Sequence, residues 1–401
     1  MVTGIELEQA VALITGALAP LGTQTLPVPD ALGYTLDADV TAPLDQPPFD
    51  RSPLDGYALR AADIASASWE RPVRLRVVET VYAGGVPLLP LTAGAAARIM
   101  TGAMLPAGCD CVLRQEDTDQ GDPVVSIYKP LRPCENYVNR GEDYRSGTVL
   151  LPAGTRLDAA AVGLLSSAGV CQVPVRRRPR VFVLSTGDEV VYPHVHPLPP
   201  GKIYGSNLNL LLARLSELGI PETGGEHAGD DPQAVAETME RLLGCCDALI
   251  TTGGVSVGDK DIFHQALPLL GAETVFWRLN VKPGTPALYS TRRGKPILSL
   301  SGNPFAAAAT FELLARPMLC ALSGEERLLP QRRSARLDTA FSKASPCRRF
   351  LRGRWQDGRV SLPEGHSSGQ LASLVGCNCL VDLPAGTGPL EPGRLVEVLL
   401  L

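Results

Sequence analysis

Several features that would place this chain in a common class are missing from its sequence. Its 401 residues carry a formal net charge of −5, so the chain lacks the basic excess with which nucleic-acid-binding proteins neutralise phosphates. No Lys or Arg precedes Arg51, which argues against a secretory signal with a basic start. No apolar run approaches membrane-spanning length. We therefore expect a soluble, cytoplasmic protein that binds neither nucleic acid nor membrane.

The residues that most often carry metal, redox or covalent chemistry also lack the necessary spacing. Ten cysteines are present, but none forms a CxxC pair, so free thiols are favoured over a zinc or disulfide site. The five histidines show no ligand spacing, and His194 and His196 are given no role. No Ser–His–Asp order is visible, so covalent catalysis is not expected.

The hydrophobic patterning predicts several domains of two kinds. Length alone suggests two to four domains, at about 100–200 residues each. A helix is predicted over residues 3–18, followed by short β-rich runs as far as residue 175. Beyond residues 176–179 strands and helices alternate, which predicts a doubly wound, parallel α/β domain. The residues from Leu328 onward predict a small β barrel or sandwich.

Polar loops follow three strands of the predicted α/β domain. In a parallel sheet such loops share the carboxyl edge, where ligands enter. Lys282 lies just beyond a fourth strand and could join them. The loops are Ser185, Thr186, Asp188 and Glu189 after Val181–Leu184; residues 252–261 after Ala248–Ile250; and Ser301–Pro304 after Ile297–Leu300. Their convergence favours a functional site over three unrelated turns.

The loop TTGGVSVGDKD, residues 251–261, is a candidate phosphate seat at a strand-to-helix turn. A tight turn that uses glycine only for positive φ explains it equally well. A P-loop is excluded because Asp259 stands where that motif needs Lys. Carboxylates near these loops would suit Mg²⁺ and, with Lys282, chemistry at a phosphoanhydride. They are Asp188, Glu189, Asp230, Asp231, Asp259 and Asp261.

Two further loops carry polar residues. Three prolines stiffen the segment DQPPFDRSPLDGYAL, which suits a site, although an Arg51–Asp55 ion pair on a surface loop is at least as good an explanation. Ser367 and Ser368 would either cap a following short helix or contact ligand, and capping is favoured.

A set of motifs in a fixed order resembles one family. They are RSPLDGYA, TGAMLPAGCD with Glu116, GED at 141–143, STGDE, GKIYGSN, GGVSVG with Asp261, VKPG and GNP. Together they resemble the molybdopterin molybdenumtransferases, the MoeA and gephyrin E-domain family. The resemblance implies Mg²⁺-dependent insertion of molybdate into adenylyl-molybdopterin with release of AMP. It also implies an elongated homodimer, with contacts to molybdopterin adenylyltransferase and to molybdoenzyme maturation proteins.

The resemblance also implies domains and site residues. Residues 27–47 and 146–176 would form a small β-rich linker domain, 48–145 a β-rich domain that completes the partner's cleft, 1–26 and 177–326 the α/β domain, and 327–401 the barrel. The implied catalytic residues are Asp55, Thr101, Asp143, Glu189 and Lys282. The candidate substrate-binding residues are Ser185, Thr186, Gly187, Asp188, Gly253, Gly254, Val255, Ser256, Gly258, Pro283, Gly302 and Asn303, and the candidate metal ligands are Glu189, Asp230, Asp231 and Asp261.

Three positions depart from the family pattern. Thr285 replaces a usual Lys, Val138 a usual Arg, and Ser301 a usual Pro. Losing two cations would weaken the attraction of an oxyanion, since a charge-assisted contact is worth about 1.5–3 kcal/mol. Two alternatives therefore stay open at this point: a molybdopterin adenylyltransferase, and a weakened family member that acts as a ligand-binding scaffold.

Overall fold

The computed structural model describes residues 1–220, 223–255 and 262–401. They form two compact units, residues 1–24 with 176–401 and residues 25–175. The strands are β1 (Val2–Ile5), β2 (Thr23–Pro27), β3 (Val40–Thr41), β4 (Gly56–Leu59), β5 (Val73–Val81), β6 (Ala95–Ile99), β7 (Cys111–Arg114), β8 (Val124–Ile127), β9 (Val149–Leu151), β10 (Gln172–Arg176), β11 (Val181–Thr186), β12 (Val190–Val191), β13 (Ile203–Tyr204), β14 (Thr223–Ala228), β15 (Ala248–Thr252), β16 (Glu273–Leu279), β17 (Val281–Lys282), β18 (Leu288–Arg292), β19 (Lys295–Leu300), β20 (Gln331–Leu337), β21 (Arg348–Gln356), β22 (Arg359–Ser361), β23 (Cys379–Leu383) and β24 (Leu395–Leu400).

The helices fall on both sides of the main sheet and in one small domain. They are α1 (Leu7–Gly16), α2 (Ala159–Ser167), α3 (Asn207–Glu217), α4 (Pro232–Cys245), α5 (Ile262–Leu270), α6 (Pro304–Thr310) and α7 (Arg316–Ser323), with a π-helical turn, Phe311–Ala315, joining the last two.

The larger unit contains a seven-stranded sheet in the order β1-β16-β18-β19-β15-β11-β14. One core beneath it holds apolar residues of α1, α3 and the α6–α7 segment, and a second core on the other face holds those of α4 and α5. This is the predicted doubly wound α/β arrangement. Its strands are parallel except β18, which runs antiparallel to β16 and β19. The two-residue turn at Arg293 and Gly294 has both φ angles positive, which makes a hairpin, whereas a parallel crossover needs a dozen residues or more.

The C-terminal residues of the same unit form a closed five-stranded barrel, β21-β22-β20-β24-β23, with β23 pairing back to β21. Short β17 of the α/β part pairs in parallel with β21, so that Val281 lies opposite Arg348 and Lys282 opposite Arg349. Three apolar residues of the barrel, Phe350, Leu380 and Leu399, are buried in the core under the main sheet. The predicted barrel is therefore confirmed, and it is packed onto the α/β domain.

The smaller unit is rich in β-structure. Its main sheet has the order β7-β4-β6-β5-β8. A separate small core combines Val28 to Val40 with Leu157 to Val175, and β3 pairs with β9 between these segments. The exact domain boundaries given above stay predictions.

Two local expectations were wrong. The predicted helix over residues 3–18 begins only at Leu7, because Val2–Ile5 is drawn into the sheet by parallel pairing with β16. Residues 149–175 are not wholly β-rich, because the Ala-rich stretch Ala159–Ser167 forms α2. The Asp158 side chain caps this helix by accepting a hydrogen bond from the Ala161 N–H at 2.8 Å.

One described segment contradicts the expectation about apolar runs. Pro304–Ser323 is helical over 20 residues and apolar enough to cross a membrane by length and composition. However, 83% of that stretch is buried inside the protein, and it carries the buried ion pair Arg316–Glu312, whose Nη1 and Oε2 atoms are 3.0 Å apart. We interpret the segment as a core helix of the α/β domain.

Candidate functional site

A cavity of about 1400 Å³ lies at the carboxyl edge of the parallel strands, within the larger unit. The predicted convergence of polar loops is thus observed, since the loops after β11, β15 and β19 all line it. The predicted site residues that line it are Ser185, Thr186, Gly187, Glu189, Asp230, Gly253, Gly254, Val255, Lys282, Pro283, Gly302 and Asn303. Ser256, Gly258, Asp259 and Asp261 lie outside the described residues. The individual roles of these residues stay predictions.

The glycine loop packs directly against the end of β11. Gly253 has φ +104°, and a Cβ built there would lie 2.5 Å from the carbonyl oxygen of Thr186 and 2.7 Å from its Oγ1. Its N–H donates to the carbonyl of Leu300 at 3.2 Å. Only glycine allows the backbone to approach two neighbouring strand ends this closely. Glycine is therefore needed here for the tight turn itself. The same loop also faces the cavity, so the two explanations offered for it hold together.

A buried side chain at the end of the motif GKIYGSN ties these loops together. Asn207 begins α3, and its Nδ2 donates to Thr252 Oγ1 and to the carbonyl of Gly302, both at 2.8 Å. Thr252 Oγ1 in turn donates to the carbonyl of Ser301 at 3.0 Å. Because each of these donors has a specific acceptor on a neighbouring loop, the ends of β15 and β19 are held in one arrangement beside the cavity.

Carboxylates reach the cavity from the loops after β11 and β14, at one end of the strand order. Glu189 and Asp230 line it, and the loops that carry them are joined by reciprocal bonds: Asp188 N–H to Asp230 Oδ2 at 3.1 Å, and Asp230 N–H to Asp188 Oδ1 at 3.0 Å. The Glu189 carboxylate folds over Gly187, where a Cβ would lie 2.8 Å from Oε2. Asp231 instead caps α4, accepting from the Ala234 N–H at 2.7 Å.

Cations reach the cavity from beyond β16, towards the other end of the strand order, and from the barrel. Lys282 lies beside Arg349 in the β17–β21 pairing, and both line the cavity with Lys343, His366, Ser367 and Ser368. Burial, together with Arg352, Lys343 and Arg349, lowers the pKa of His366. The predicted capping by Ser367 and Ser368 was wrong, since no side chain caps the short helix Ala372–Leu374. No local motif marks Lys343 or Arg349 in the sequence.

The departures in this unit have local partners. Thr285 lines the cavity, and its Oγ1 donates to the carbonyl of Val281 at 2.6 Å, so it closes its own loop and contributes no charge. Ser301 is buried, and its Oγ accepts from the Asn303 N–H at 3.3 Å. Within residues 1–220, 223–255 and 262–401, no cluster of three or more His, Cys, Asp or Glu residues has metal-site spacing.

The remaining predicted site residues lie in the smaller unit. Asp55 Oδ1 accepts hydrogen bonds from both N–H and Oγ1 of Thr101, each at 2.7 Å, and these bonds lower the pKa of Asp55. Asp143 is exposed on a loop, with its N–H bonded to the carbonyl of Gln46 at 2.9 Å. Val138 pairs with Arg51 through the backbone. All ten cysteines are free thiols, as expected.

Comparison with known proteins identifies the family. Family models match residues 5–169 (MoeA N-terminal region, domains I and II), 182–321 (probable molybdopterin binding domain) and 334–401 (MoeA C-terminal region, domain IV). A relative from Bacillus subtilis named molybdopterin molybdenumtransferase is 36% identical over 411 residues, covering 100% of this chain and 94% of that protein. One of the same name from Staphylococcus epidermidis is 32% identical over 402 residues, covering 99% and 96%.

A solved structure agrees with the sequence relatives. The molybdopterin biosynthesis MoeA protein from Pyrococcus horikosii superposes with a TM-score of 0.85 at 32% identity, covering 99% of both chains. The match extends through the α/β domain, the β-rich segments and the closed barrel. The chain therefore belongs to the MoeA family, the molybdopterin molybdenumtransferases.

Proposed function

We propose that this protein is an enzyme of molybdenum cofactor biosynthesis that inserts molybdate into adenylyl-molybdopterin and releases AMP, with Mg²⁺ as cofactor. The observation that carries the proposal is a cavity of about 1400 Å³ with carboxylates from the loops after β11 and β14, at one end of the strand order, and Lys282 from beyond β16, towards the other end. It exceeds the roughly 300–1,000 Å³ of pockets for one small ligand. It is therefore large enough for a nucleotide-linked pterin and an oxyanion together.

The positive side of the cavity suits anions. Among the described residues, three cationic side chains, Lys282, Lys343 and Arg349, line it. Strand pairing places Lys282 and Arg349 opposite each other. Fixed cations stabilise negative charge that develops when a phosphoanhydride breaks, without the cost of reorganising solvent. Thr285 lacks the positive charge of the lysine that is usual at its position, and Lys343 and Arg349 supply positive charge in the same cavity. Their presence supports an active enzyme over a scaffold.

The acidic side suits Mg²⁺. Glu189 and Asp230 offer only oxygen atoms, and Mg²⁺ characteristically binds one or two carboxylates together with substrate phosphates. The Glu189 carboxylate occupies the space that a side chain at Gly187 would fill, so glycine at this position lets the carboxylate keep its place at the cavity. A bound Mg²⁺ would offset phosphate charge, while Glu189 and Asp230 would orient it towards the glycine loop.

We also propose that the protein is a cytoplasmic homodimer, with molybdopterin adenylyltransferase and molybdoenzyme maturation proteins as partners. Asp55, Thr101 and Asp143 would then act in a cleft completed by the partner subunit. The fixed Asp55–Thr101 pair supports a preorganised role for these residues. Sedimentation of the purified protein tests this proposal, and a monomer at assay concentration would contradict it.

A turnover assay tests the proposed reaction against its two alternatives. Purified protein with Mg²⁺, molybdate and adenylyl-molybdopterin should release AMP in a molybdate-dependent manner. Tight binding of adenylyl-molybdopterin without AMP release would instead indicate a scaffold. ATP-dependent adenylylation of free molybdopterin would indicate an adenylyltransferase. Omission of molybdate provides the control for background hydrolysis.

A further inference from the structure

Tyr204 presents an accessible aromatic ring to the cavity. It lies in residues 188–206, which contain four prolines and which we call the proline-rich loop. Among the described residues that line the cavity, only Tyr204 and Phe350 carry a phenol or phenyl ring. Phe350 is 0% exposed, whereas Tyr204 is 37% exposed. Of these two rings, a ligand can therefore reach that of Tyr204.

Hydrogen bonds fix the position of this ring. The Tyr204 hydroxyl donates to the carbonyl of Val195 at 3.0 Å and lies 2.9 Å from His196 Nδ1. Because its one proton is directed to the carbonyl, the hydroxyl must accept the second bond, and Nδ1 of His196 is the donor. A side chain that is already held in this way loses little rotamer freedom when a ligand binds to it.

The backbone of the same loop is also anchored. β13 pairs in parallel with β12, which places Tyr204 opposite Val191. The Ile203 N–H donates to the carbonyl of Glu189 at 2.8 Å, and the Gly205 N–H donates to the carbonyl of Val191 at 3.0 Å. The position of Tyr204 is therefore fixed relative to Glu189, which lines the same cavity.

The ring has an exposed apolar neighbour at the cavity. Ile203 is 55% exposed and lines the cavity next to Tyr204. The glycine loop, the carboxylates and the cations described above suit the charged parts of a ligand, whereas a flat heterocycle needs a different surface. Every nucleobase has a π-face, so a base can stack on an aromatic side chain without a particular pattern of hydrogen bonds.

We propose that Tyr204 is the stacking surface for the fused heterocycle of the ligand, with Ile203 as its apolar neighbour. The proposal deepens the proposed function and rests on it, because adenylyl-molybdopterin carries two such heterocycles, an adenine and a pterin. Both are flat, fused, nitrogen-containing rings, so the same surface suits either. The experiment below distinguishes them.

Binding of small probes separates stacking from the recognition of charge. AMP carries the adenine, ribose 5-phosphate carries a phosphate without a base, and 6-carboxypterin carries the pterin ring. Tyr204→Leu removes the aromatic ring but keeps an apolar side chain. Its affinity for AMP, for 6-carboxypterin or for both should fall about tenfold, while its affinity for ribose 5-phosphate stays within about twofold. Tyr204→Phe keeps the ring and loses only the hydroxyl bonds, so its affinities should lie between those of the wild type and Tyr204→Leu. Isothermal titration calorimetry measures each case.

Tyr192→Leu is the matched control. Tyr192 is a second tyrosine of the proline-rich loop, 44% exposed, and its ring stacks on that of His194 with the centroids 5.7 Å apart. It lines a separate, smaller cavity beside His227 and is not among the residues that line the large one. The affinities of Tyr192→Leu for all probes should therefore stay within about twofold of the wild-type values.

The pattern of losses decides the outcome. A loss for AMP alone assigns the adenine to Tyr204, a loss for 6-carboxypterin alone assigns the pterin, and a loss for both assigns a shared surface. Unchanged affinity of Tyr204→Leu for both heterocycles would overturn the inference. An equal loss for AMP and ribose 5-phosphate would also overturn it, as would a wild-type protein that binds neither heterocycle. If stacking is found but AMP release is not, the proposed reaction fails while the role of Tyr204 stands.

Discussion

Replacing Gly253 by Ala should damage both the fold and the site, and its cost follows from the structure. The new Cβ would lie 2.5 Å from the Thr186 carbonyl oxygen, which belongs to a strand held on both sides by β14 and β15. The overlap cannot be relieved by a flexible side chain. We assign about 1–3 kcal/mol to this overpacking and about 1–3 kcal/mol to an alanine at positive φ.

Gly294→Ala separates the two contributions. Gly294 has φ +77° in the β18–β19 turn, and nothing lies within 4 Å of the position its Cβ would occupy. It should therefore cost only the backbone strain of about 1–3 kcal/mol. Urea unfolding of the full chain should show Gly253→Ala to be less stable than Gly294→Ala by about 1–3 kcal/mol.

The same pair should differ in function. Moving the glycine loop away from Thr186 changes a cavity wall, so Gly253→Ala should raise the KM for adenylyl-molybdopterin, whereas Gly294→Ala should keep the wild-type KM. Equal stability of the two variants would refute the close contact at Gly253. Equal KM values would refute a role for this loop in substrate binding.

Further predictions concern charge in the cavity. Thr285→Lys should lower the KM for molybdate roughly tenfold, because it adds a charge-assisted contact. An unchanged KM would show that a lysine at this position does not contribute to molybdate binding. Glu189→Gln should reduce kcat at least about tenfold and raise the Mg²⁺ concentration needed for activity. Because Glu189 is exposed, the free energy of unfolding of the protein should change by less than about 0.5 kcal/mol. Asp231→Ala should lower the free energy of unfolding by about 0.5–2 kcal/mol through loss of the helix cap and leave the Mg²⁺ dependence of activity unaltered. Asp230→Asn should instead shift the Mg²⁺ concentration at half-maximal activity. The reverse pattern would assign the metal to Asp231.

Much of the fold could be predicted from local patterns. The predicted runs Ile262–Leu270, Cys379–Leu383 and Leu395–Leu400 coincide with observed elements, because their apolar periodicity is strong and turn residues bound them. One failure has a cause that lies outside the local sequence. Val2–Ile5 became a strand only because distant β16 offers it an edge, and such tertiary pairing leaves no mark in four residues.

The candidate site was predictable on one side only. Loops that follow parallel strands must share an edge, so Ser185, Glu189 and Gly253 could be brought together from the strand pattern alone. Lys343, Arg349 and His366 face the same cavity, but their placement depends on how the barrel packs against the α/β core through residues such as Phe350. Asn207 ends the motif GKIYGSN, but its buried hydrogen bonds join segments far apart in the chain, and the motif does not encode those partners.

The pairing of β17 with β21 makes Lys282 and Arg349 immediate neighbours across two domains. Register partners in a sheet place their side chains on the same face, so two like charges are kept in proximity whether or not substrate is present. An anion bound between them would relieve their mutual repulsion, and the barrel can move away from β17 only if this strand pairing breaks. The spacing of these two charges is therefore set by folding, before any substrate binds.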